Sequence, residues 1–339
     1  MTWLDGDFDR FDESAARVRP PKRGSKPRTK TRPAHDDSIP ARVLSVDRGR
    51  YLVLADGGTG DEREIIAKRA RELHRTAIVT GDVVDIVGDT TGDDGSLARI
   101  VRLTPRDTVL RRSADDSDTV ERVIVANADR MLIVVAAANP EPRQRLVDRY
   151  LVAAFDAGIL PILCVTKTDL KDPTEFLAHF SGLDVPVVTS RSDDPPLDEL
   201  TELLRGHTTV AVGHSGVGKS TLVNAIIPDA DRATGVVNDV TGRGRHTSSS
   251  TASFRFPGGG WLIDTPGVRS FGLGHVKPES VLAAFTDLAA VAENCPRGCN
   301  HVDDDCAMVE AVAAGELGDE GPARLDSVQR LLHSLDGVA

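Results

Sequence analysis

Eight consecutive residues have the types and spacing of a phosphate-binding loop. The run fits G-x-x-x-x-G-K-[ST] between an apolar stretch at 208–212 and a helical pattern at 221–227: Gly213, His214, Ser215, Gly216, Val217, Gly218, Lys219 and Ser220. Glycines let backbone N–H groups turn toward phosphate oxygens. Lys219 is predicted to lie along the β- and γ-phosphates, and the Ser220 hydroxyl to bind Mg²⁺. A chance glycine-rich turn, the alternative, would not explain the flanking strand and helix.

A second motif begins about 45 residues after Lys219. Asp264, Thr265, Pro266 and Gly267 follow the apolar run Trp261–Ile263 and fit D-x-x-G. In this motif the carboxylate reaches Mg²⁺ through water, and the glycine N–H meets the γ-phosphate. Asp264 and Gly267 are therefore predicted nucleotide contacts, and Asp264 is a predicted magnesium ligand as well.

The base-reading motif [NT]-K-x-D lies upstream of the phosphate loop. Thr166, Lys167, Thr168 and Asp169 follow an apolar run at 159–165, whereas the 72 residues after Gly267 contain no match. The Asp169 carboxylate can accept hydrogen bonds from the N–H groups of the guanine edge, which adenine does not offer, while Lys167 covers the base. The order of the motifs predicts a GTP-binding domain that is circularly permuted.

These motifs, in this order, resemble the RsgA family of circularly permuted GTPases, which assist maturation of the small ribosomal subunit. The resemblance covers roughly residues 39–335. It places the family's base motif on 166–169, its phosphate loop on 213–221, including Thr221, and its D-x-x-G on 264–267. Thr166 stands where Asn is commoner. The resemblance implies that GTP and GDP are ligands and that the small ribosomal subunit and its rRNA are partners.

A further nucleotide contact is implied at the family's second base-contacting loop. Thr189, Ser190 and Arg191 occupy that place, after a strand-like run at 185–188. We predict that Ser190 contacts the nucleotide. An ordinary strand-to-helix loop explains these residues nearly as well.

The segment at 241–250, here called the switch segment, is rich in glycine and hydroxyl residues. It is predicted to order around Mg²⁺ and the γ-phosphate, with Thr247 as a hydroxyl ligand of the magnesium. Val268 follows the D-x-x-G motif, where many GTPases keep a glutamine that orients water. Because valine neither donates nor accepts a hydrogen bond, another group must position the water.

His246 is the candidate catalytic residue. It lies beside Thr247, and an imidazole exchanges a proton near pH 7. The family is thought to use the corresponding histidine. Two alternatives stay open: His246 is a surface residue that contacts RNA or nothing, or Arg243 and Arg245 stabilise charge in the transition state or contact rRNA phosphates.

A cluster of metal-ligating residues lies near the C-terminus. Cys295, Cys299, His301 and Cys306 supply three thiolates and an imidazole within twelve residues, enough for one tetrahedral zinc per chain. The alternative is a set of free thiols. Cys164, the remaining cysteine, lies in an apolar strand, so this distribution suits a metal better than disulfides.

The elements that must position these residues predict a multidomain chain. It consists of an OB-type β-barrel, an α/β P-loop GTPase domain with circularly permuted motif order, and a small helical zinc-binding domain. Short alternating apolar runs indicate the barrel only weakly, and the resemblance specifies the OB type. The predicted boundaries are a disordered basic arm at 1–38, the barrel at 39–105, the GTPase domain at 106–275 and the zinc-binding domain at 276–339.

Several local elements are predicted with it. The polar stretch from Arg111 to Asp118 is predicted to be a linker. One helical pattern runs from Pro278 to Val291, and further helices are predicted at about 306–315 and 322–335.

Composition limits the class of protein. The net charge is −11, yet residues 17–34 carry eight Lys or Arg and no Asp or Glu. That arm is either an electrostatic contact for rRNA or a solvated tail. No apolar run approaches 18 residues and no signal-peptide pattern opens the sequence, so we expect a cytoplasmic monomer that does not contact membrane.

Together these features predict a GTPase that binds the small ribosomal subunit, assists its late maturation, hydrolyses GTP to GDP and phosphate when the subunit stimulates turnover, and then dissociates. One alternative is an RNA-binding module with a structural nucleotide, which Val268 favours. Another is a permuted GTPase that serves the large subunit.

Overall fold

The computed structural model describes residues 35–55, 60–73, 76–113, 121–228, 251–265, 271, 273–303 and 305–336. Within these residues no helix is both long and apolar enough to cross a membrane. Residues 1–34 of the predicted arm and the switch segment lie outside the described residues.

A closed five-strand barrel of OB type forms the first part of the fold, from β1 to β5. Its strands are Ile39–Asp47, Arg50–Ala55, Arg63–Arg69, Val83–Gly88 and Ala98–Leu103. Strand β1 pairs with both β2 and β4, while β3 pairs with β5, so the sheet closes on itself. Alternate residues of these strands point inward, and their core is fully buried around Val43, Val53 and Ile65.

A hairpin connects the barrel to the second sheet. Its strands, β6 and β7, are Val109–Ser113 and Glu121–Ala126 and pair antiparallel. Arg111 and Arg112 therefore lie in a strand, and their prediction as a linker is wrong. Leu110 and Val125 of the hairpin pack on the core, while Arg111 is exposed, so a charged residue is accommodated in the strand.

The GTPase part contains a sheet of order β10-β9-β8-β11-β13-β12. The strands are Arg130–Ala136 (β8), Leu160–Thr166 (β9), Val187–Thr189 (β10), Thr208–Gly213 (β11), Ala252–Arg255 (β12) and Trp261–Asp264 (β13). All neighbours are parallel except β12, which runs antiparallel to β13. Strands β8, β9, β11 and β13 are buried on both faces, as their apolar sequence predicts, whereas β10 buries only Val188. Strand β12 was not predicted from the sequence.

Helices cover this sheet and continue beyond it. Helices α1 to α4 are Gln144–Asp156, Thr174–Ala178, Leu197–Leu204 and Lys219–Ile226, and α5 to α8 are Pro278–Leu282, Thr286–Ala292, Ala307–Ala313 and Gly321–Asp336. The single helix predicted from Pro278 to Val291 is two, because the chain turns between them and Phe285 turns inward, only 2% exposed. Helix α8 packs against α1, and one hydrophobic core therefore runs from the sheet into the C-terminal helices.

The barrel and the GTPase sheet are continuous. Strand β1 pairs with β12 as well as with its barrel neighbours, with Ser45 opposite Ala252. The two β structures thus form one eleven-stranded sheet in which the barrel strand extends the outer edge of the GTPase sheet.

Candidate functional site

The phosphate loop connects β11 to α4 through backbone conformations that need glycine. Gly216 and Gly218 have φ angles of 84° and 91°, in the left-handed region. A Cβ on Gly213 would lie 2.5 Å from the Val134 carbonyl oxygen of the neighbouring strand. The glycines therefore allow the loop to lie against the sheet and to begin α4, with its free N–H groups, at Lys219.

Lys219 and Asp264 meet at the carboxyl ends of β11 and β13. The Lys219 ammonium contacts the Asp264 carboxylate, and both side chains are largely buried. Thr265, fully buried, donates its hydroxyl to the Ala211 carbonyl at 2.7 Å and fixes the chain after Asp264. The phosphate-binding cation and the magnesium carboxylate predicted from separate motifs are thus neighbours. Ser220 is exposed beside them.

Thr166 joins the base motif to the phosphate loop. Its side chain is buried at the end of β9, and its hydroxyl donates to the Val217 carbonyl at 2.5 Å. The Val135 carbonyl lies 3.3 Å from the same oxygen. Sequence reasoning missed this contact, because it joins residues that are 51 positions apart.

Lys167 makes a second connection between the same two motifs. Its backbone has a φ of 57°, and its ammonium donates to the Gly216 carbonyl at 2.7 Å and to the Asn139 carbonyl. The aliphatic stem therefore spans the space between the base motif and the phosphate loop, where it can cover a bound base.

Asp169 faces the loop after β10. The Ser192 backbone N–H donates to the Asp169 carboxylate at 2.8 Å and holds the pKa of that carboxyl below its usual range. Ser190 is buried; its N–H donates to the Val165 carbonyl at 2.8 Å, and its own carbonyl accepts from the Thr168 N–H at 3.2 Å. The two predicted base-contacting loops are therefore adjacent, with an ionised carboxylate at their edge.

A cavity of about 140 Å³ lies between these loops and α4. Thr166, Lys167 and Ser190 line one side, and Gly218 and Thr221 line the other. Its walls combine apolar surface with a few convergent polar groups, which is typical of a site for a planar ligand. Its position between the base motif and the start of α4 is where a guanine base would join a phosphate chain held by the loop.

The four predicted metal ligands also converge. Their ligand atoms all lie within 4.8 Å of one another: Cys295, Cys299, His301 and Cys306. The Cys295 sulfur lies 3.7 Å from the Cys306 sulfur and 3.6 Å from His301 Nδ1. Tetrahedral zinc, bonded at about 2.3 Å to sulfur and about 2.1 Å to nitrogen, would separate two sulfurs by about 3.8 Å and a sulfur from a nitrogen by about 3.6 Å. The residues therefore fit one tetrahedral ion.

The surroundings of this cluster fix its geometry. His301 has a φ of 65°, its N–H donates to the Cys299 sulfur at 3.3 Å, and its carbonyl accepts from Gln329 of α8 at 3.2 Å. Burial raises the pKa of the Cys306 thiol to about 11. A nearby cation would favour the thiolate form that binds metal.

Comparisons with known proteins agree with this arrangement. A family model for the RsgA GTPase matches residues 103–274. The small ribosomal subunit biogenesis GTPase RsgA of Pseudomonas aeruginosa strain LESB58 is 40% identical over 268 residues, which cover 76% of each chain. The chain belongs to the RsgA GTPase family. RsgA proteins of Pseudomonas fluorescens strain SBW25 and Azotobacter vinelandii are each 39% identical and align over 76% of this chain and 75% of their own length.

Solved structures show the same fold as this RsgA-family chain. The crystal structure of YjeQ from Thermotoga maritima superposes with a TM-score of 0.64 at 26% identity, over 88% of this chain and 99% of that one. The crystal structure of YloQ, which is described as a circularly permuted GTPase, superposes with a TM-score of 0.62 at 24% identity, over 90% and 98% of the two chains. The barrel and permuted GTPase fold predicted from the sequence is confirmed.

Some predicted site residues of this RsgA-family chain lie outside the described residues. These are the candidate catalytic His246, the magnesium ligand Thr247 and the nucleotide contact Gly267, together with Arg243, Arg245 and Val268. Their roles stay predictions. The described part of the site thus contains the base motif with its adjacent cavity, the phosphate loop and Asp264.

Proposed function

We propose that this chain is a GTPase that acts in the maturation of the small ribosomal subunit. The observation that carries the proposal is the convergence of three motifs on one edge of the sheet. Base motif, phosphate loop and Asp264 follow β9, β11 and β13, whose carboxyl ends meet there. The RsgA relatives are named small ribosomal subunit biogenesis GTPases, which agrees with this activity and this subunit.

The contacts within the base motif and the phosphate loop support the proposed nucleotide-binding roles. Asp169 accepts from the guanine edge, Ser190 borders the base, and the N–H groups from His214 to Thr221 bind the phosphates. When GTP binds, the Lys219 ammonium exchanges its contact with Asp264 for the β- and γ-phosphates. Asp264 is then available to bind Mg²⁺.

Magnesium would be held by oxygen donors, which it prefers: Ser220, Thr247 and the Asp264 carboxylate. Bound there, it supplies charge neutralisation at the β- and γ-phosphates. His246 orients the attacking water and accepts its proton, a role that Val268 cannot take. Hydrolysis then releases the switch segment, and the factor leaves the subunit.

The remaining parts of the chain bind the subunit. One zinc held by the Cys3His cluster fixes the loop that contacts α8. The proposed domains are the barrel at 39–105, the GTPase domain at 106–275 and the zinc-binding domain at 276–339. The arm at 1–38 is proposed to contact rRNA. A factor that acts on ribosomal subunits as a monomer is expected in the cytoplasm.

The test is GTP turnover by the purified protein with and without small ribosomal subunits. Turnover alone should be slow, about 10⁻² s⁻¹ or below, and small subunits should raise it. Large subunits serve as the matched control. Lys219→Ala sets the background, because it removes the phosphate-loop cation.

Each alternative gives a different result. A protein that binds GTP but never exceeds the Lys219→Ala background with either subunit would be an RNA-binding module with a structural nucleotide. Equal or greater stimulation by large subunits would contradict the choice of subunit.

A further inference from the structure

Strand β12 connects the barrel to the centre of the nucleotide site. On one side Ala252 lies opposite Ser45 of the barrel strand β1, and on the other it lies opposite Asp264. The same strand begins directly after the switch segment, which ends at residue 250. A displacement of the barrel strand would therefore act through Ala252 on Asp264, the predicted magnesium ligand.

The start of β12 is also held by a turn of the barrel at Thr80, Gly81 and Asp82, here called the barrel turn. Thr80 is only 2% exposed, and its hydroxyl donates to the Thr251 carbonyl at 3.3 Å. Its carbonyl accepts from the Ala126 N–H of β7 at 3.1 Å. One residue of the barrel thus contacts both the connecting hairpin and the residue that precedes β12.

The rest of the barrel turn is rigid and fits closely. Gly81 has a φ of 92°, and a Cβ there would lie 2.1 Å from the Ala126 carbonyl oxygen. The fully buried Asp82 carboxylate accepts two hydrogen bonds from Arg106, at 2.7 and 2.8 Å, and its backbone carbonyl accepts from the Val43 N–H of β1 at 2.8 Å. The turn therefore cannot move without moving β1 or the hairpin strand β7.

The far end of β12 is held by the barrel as well. The guanidinium groups of Arg42, from β1, and Arg255, from β12, both lie over the Trp261 ring, with carbon-to-centroid distances of 4.8 and 5.0 Å. Arg255 also pairs with Glu62, which precedes β3. The barrel thus contacts both ends of one short strand.

We propose that Thr80 and Gly81 are positioning residues for subunit-stimulated GTP hydrolysis, which couple the barrel through β12 to Asp264. This rests on the proposed function. Subunit contact with the barrel is transmitted through the barrel turn. The same contacts act in the other direction, so a nucleotide that shifts β12 on binding also shifts the barrel turn. Thr80 takes no part in the chemical reaction. Its hydrogen bond to the Thr251 carbonyl fixes the position at which β12 begins.

The first test compares Thr80→Val with Thr80→Ser in the full chain. Valine keeps the branched shape and removes the hydroxyl, whereas serine keeps the hydroxyl. We expect Thr80→Val to lower subunit-stimulated kcat by about three- to tenfold, the size of effect typical of residues on a coupling route. In Thr80→Val, unstimulated turnover should change by less than about twofold, and the Kd for the subunit should be unchanged. Thr80→Ser should be stimulated by the subunit as strongly as the wild type.

Matched variants separate coupling from general damage. Thr91→Val removes an exposed barrel hydroxyl, bonded to Asp89 at 2.8 Å, and should leave stimulation unchanged. If circular dichroism shows that Gly81→Ala is folded, this variant should lose more of the subunit stimulation than Thr80→Val does. Wild-type stimulation in folded Thr80→Val and Gly81→Ala would overturn the proposal, and so would an equal loss of stimulated and unstimulated turnover.

A second readout needs no ribosome. Hydrogen exchange of peptides covering 41–47 and 79–84 is compared with Mg²⁺ plus GDP and with Mg²⁺ plus a non-hydrolysable GTP analogue. We expect a difference between the two nucleotides that Thr80→Val diminishes and Thr91→Val keeps. A difference that Thr80→Val leaves unchanged, or no difference in the wild type, would overturn the coupling. Absence of subunit stimulation in the wild type, with this exchange difference present, would instead contradict the proposed function alone.

Discussion

Replacing Thr166 by valine tests the hydrogen bond that joins the base motif to the phosphate loop. Valine keeps the branched shape of the buried side chain and removes the only donor that it offers to the Val217 carbonyl, 2.5 Å away. The carbonyl belongs to the loop that must bind phosphate. A buried acceptor left without its donor costs about 1–3 kcal/mol.

This cost falls on the nucleotide-binding conformation of the loop. If the loop leaves that conformation in the free variant, the penalty appears in affinity, and about 1.4 kcal/mol corresponds to tenfold. We therefore expect the Kd for GDP to rise about 5- to 140-fold in Thr166→Val. Thr166→Ser retains the hydroxyl and should bind GDP within about threefold of the wild type.

Isothermal titration with GDP measures the effect without interference from hydrolysis, and thermal unfolding of the free protein is recorded beside it. Equal GDP affinity in Thr166→Val, Thr166→Ser and the wild type, with equal Tm, would refute the reasoning. A lowered Tm with unchanged affinity would show that the bond stabilises the fold and does not shape the loop.

Three further predictions concern the base, the catalytic residue and the metal. The Ser192 N–H lowers the pKa of Asp169, so its carboxylate stays ionised as the pH falls to the ordinary pKa of an aspartate. The preference for GDP over ADP should therefore persist at that pH and be lost only at lower pH, which GDP and ADP titrations from pH 7 downward would measure. Equal GDP and ADP affinity at pH 7 would contradict the role of Asp169. His246→Ala should reduce subunit-stimulated turnover by about 10²-fold or more and leave the Kd for GTP and for the subunit nearly intact; full stimulation of the variant would exclude the role. Elemental analysis should find one zinc per chain. Cys306→Ser should lose the zinc and, with it, the folding free energy that zinc binding contributes, which is about 10 kcal/mol in zinc-binding peptides. Freely titratable thiols in the wild type would count against the site.

The sequence predicts the parallel strands and the loops that follow them because both signals are local. Apolar runs before Thr166, Gly213 and Asp264 indicate buried strands, and the carboxyl ends of parallel strands share an edge. The cysteine cluster is predicted for the same reason, since its members lie within twelve residues. The order of the motifs and the positions of the site loops can therefore be predicted from the sequence alone.

Elements that depend on distant partners are not predictable in this way. Strand β12 has only four residues and exists because β13 and β1 pair with it on either side. Strand β3 is charged at both ends and buries only Ile65 and Ala67. The polar residues of β6 are typical of a linker in sequence, and they form a strand because β7 pairs with them. The Thr166 and Lys167 contacts with the phosphate loop likewise depend on the fold.

The continuous sheet has a consequence for how this protein can be divided. Strand β12 would otherwise be the outer edge of the GTPase sheet, and an open edge is a template for pairing with another chain. In the full chain the barrel strand β1 lies along that edge, so the barrel also protects the protein from self-association. A fragment that begins after the barrel would expose β12 and would be expected to aggregate, even though its own hydrophobic core is complete.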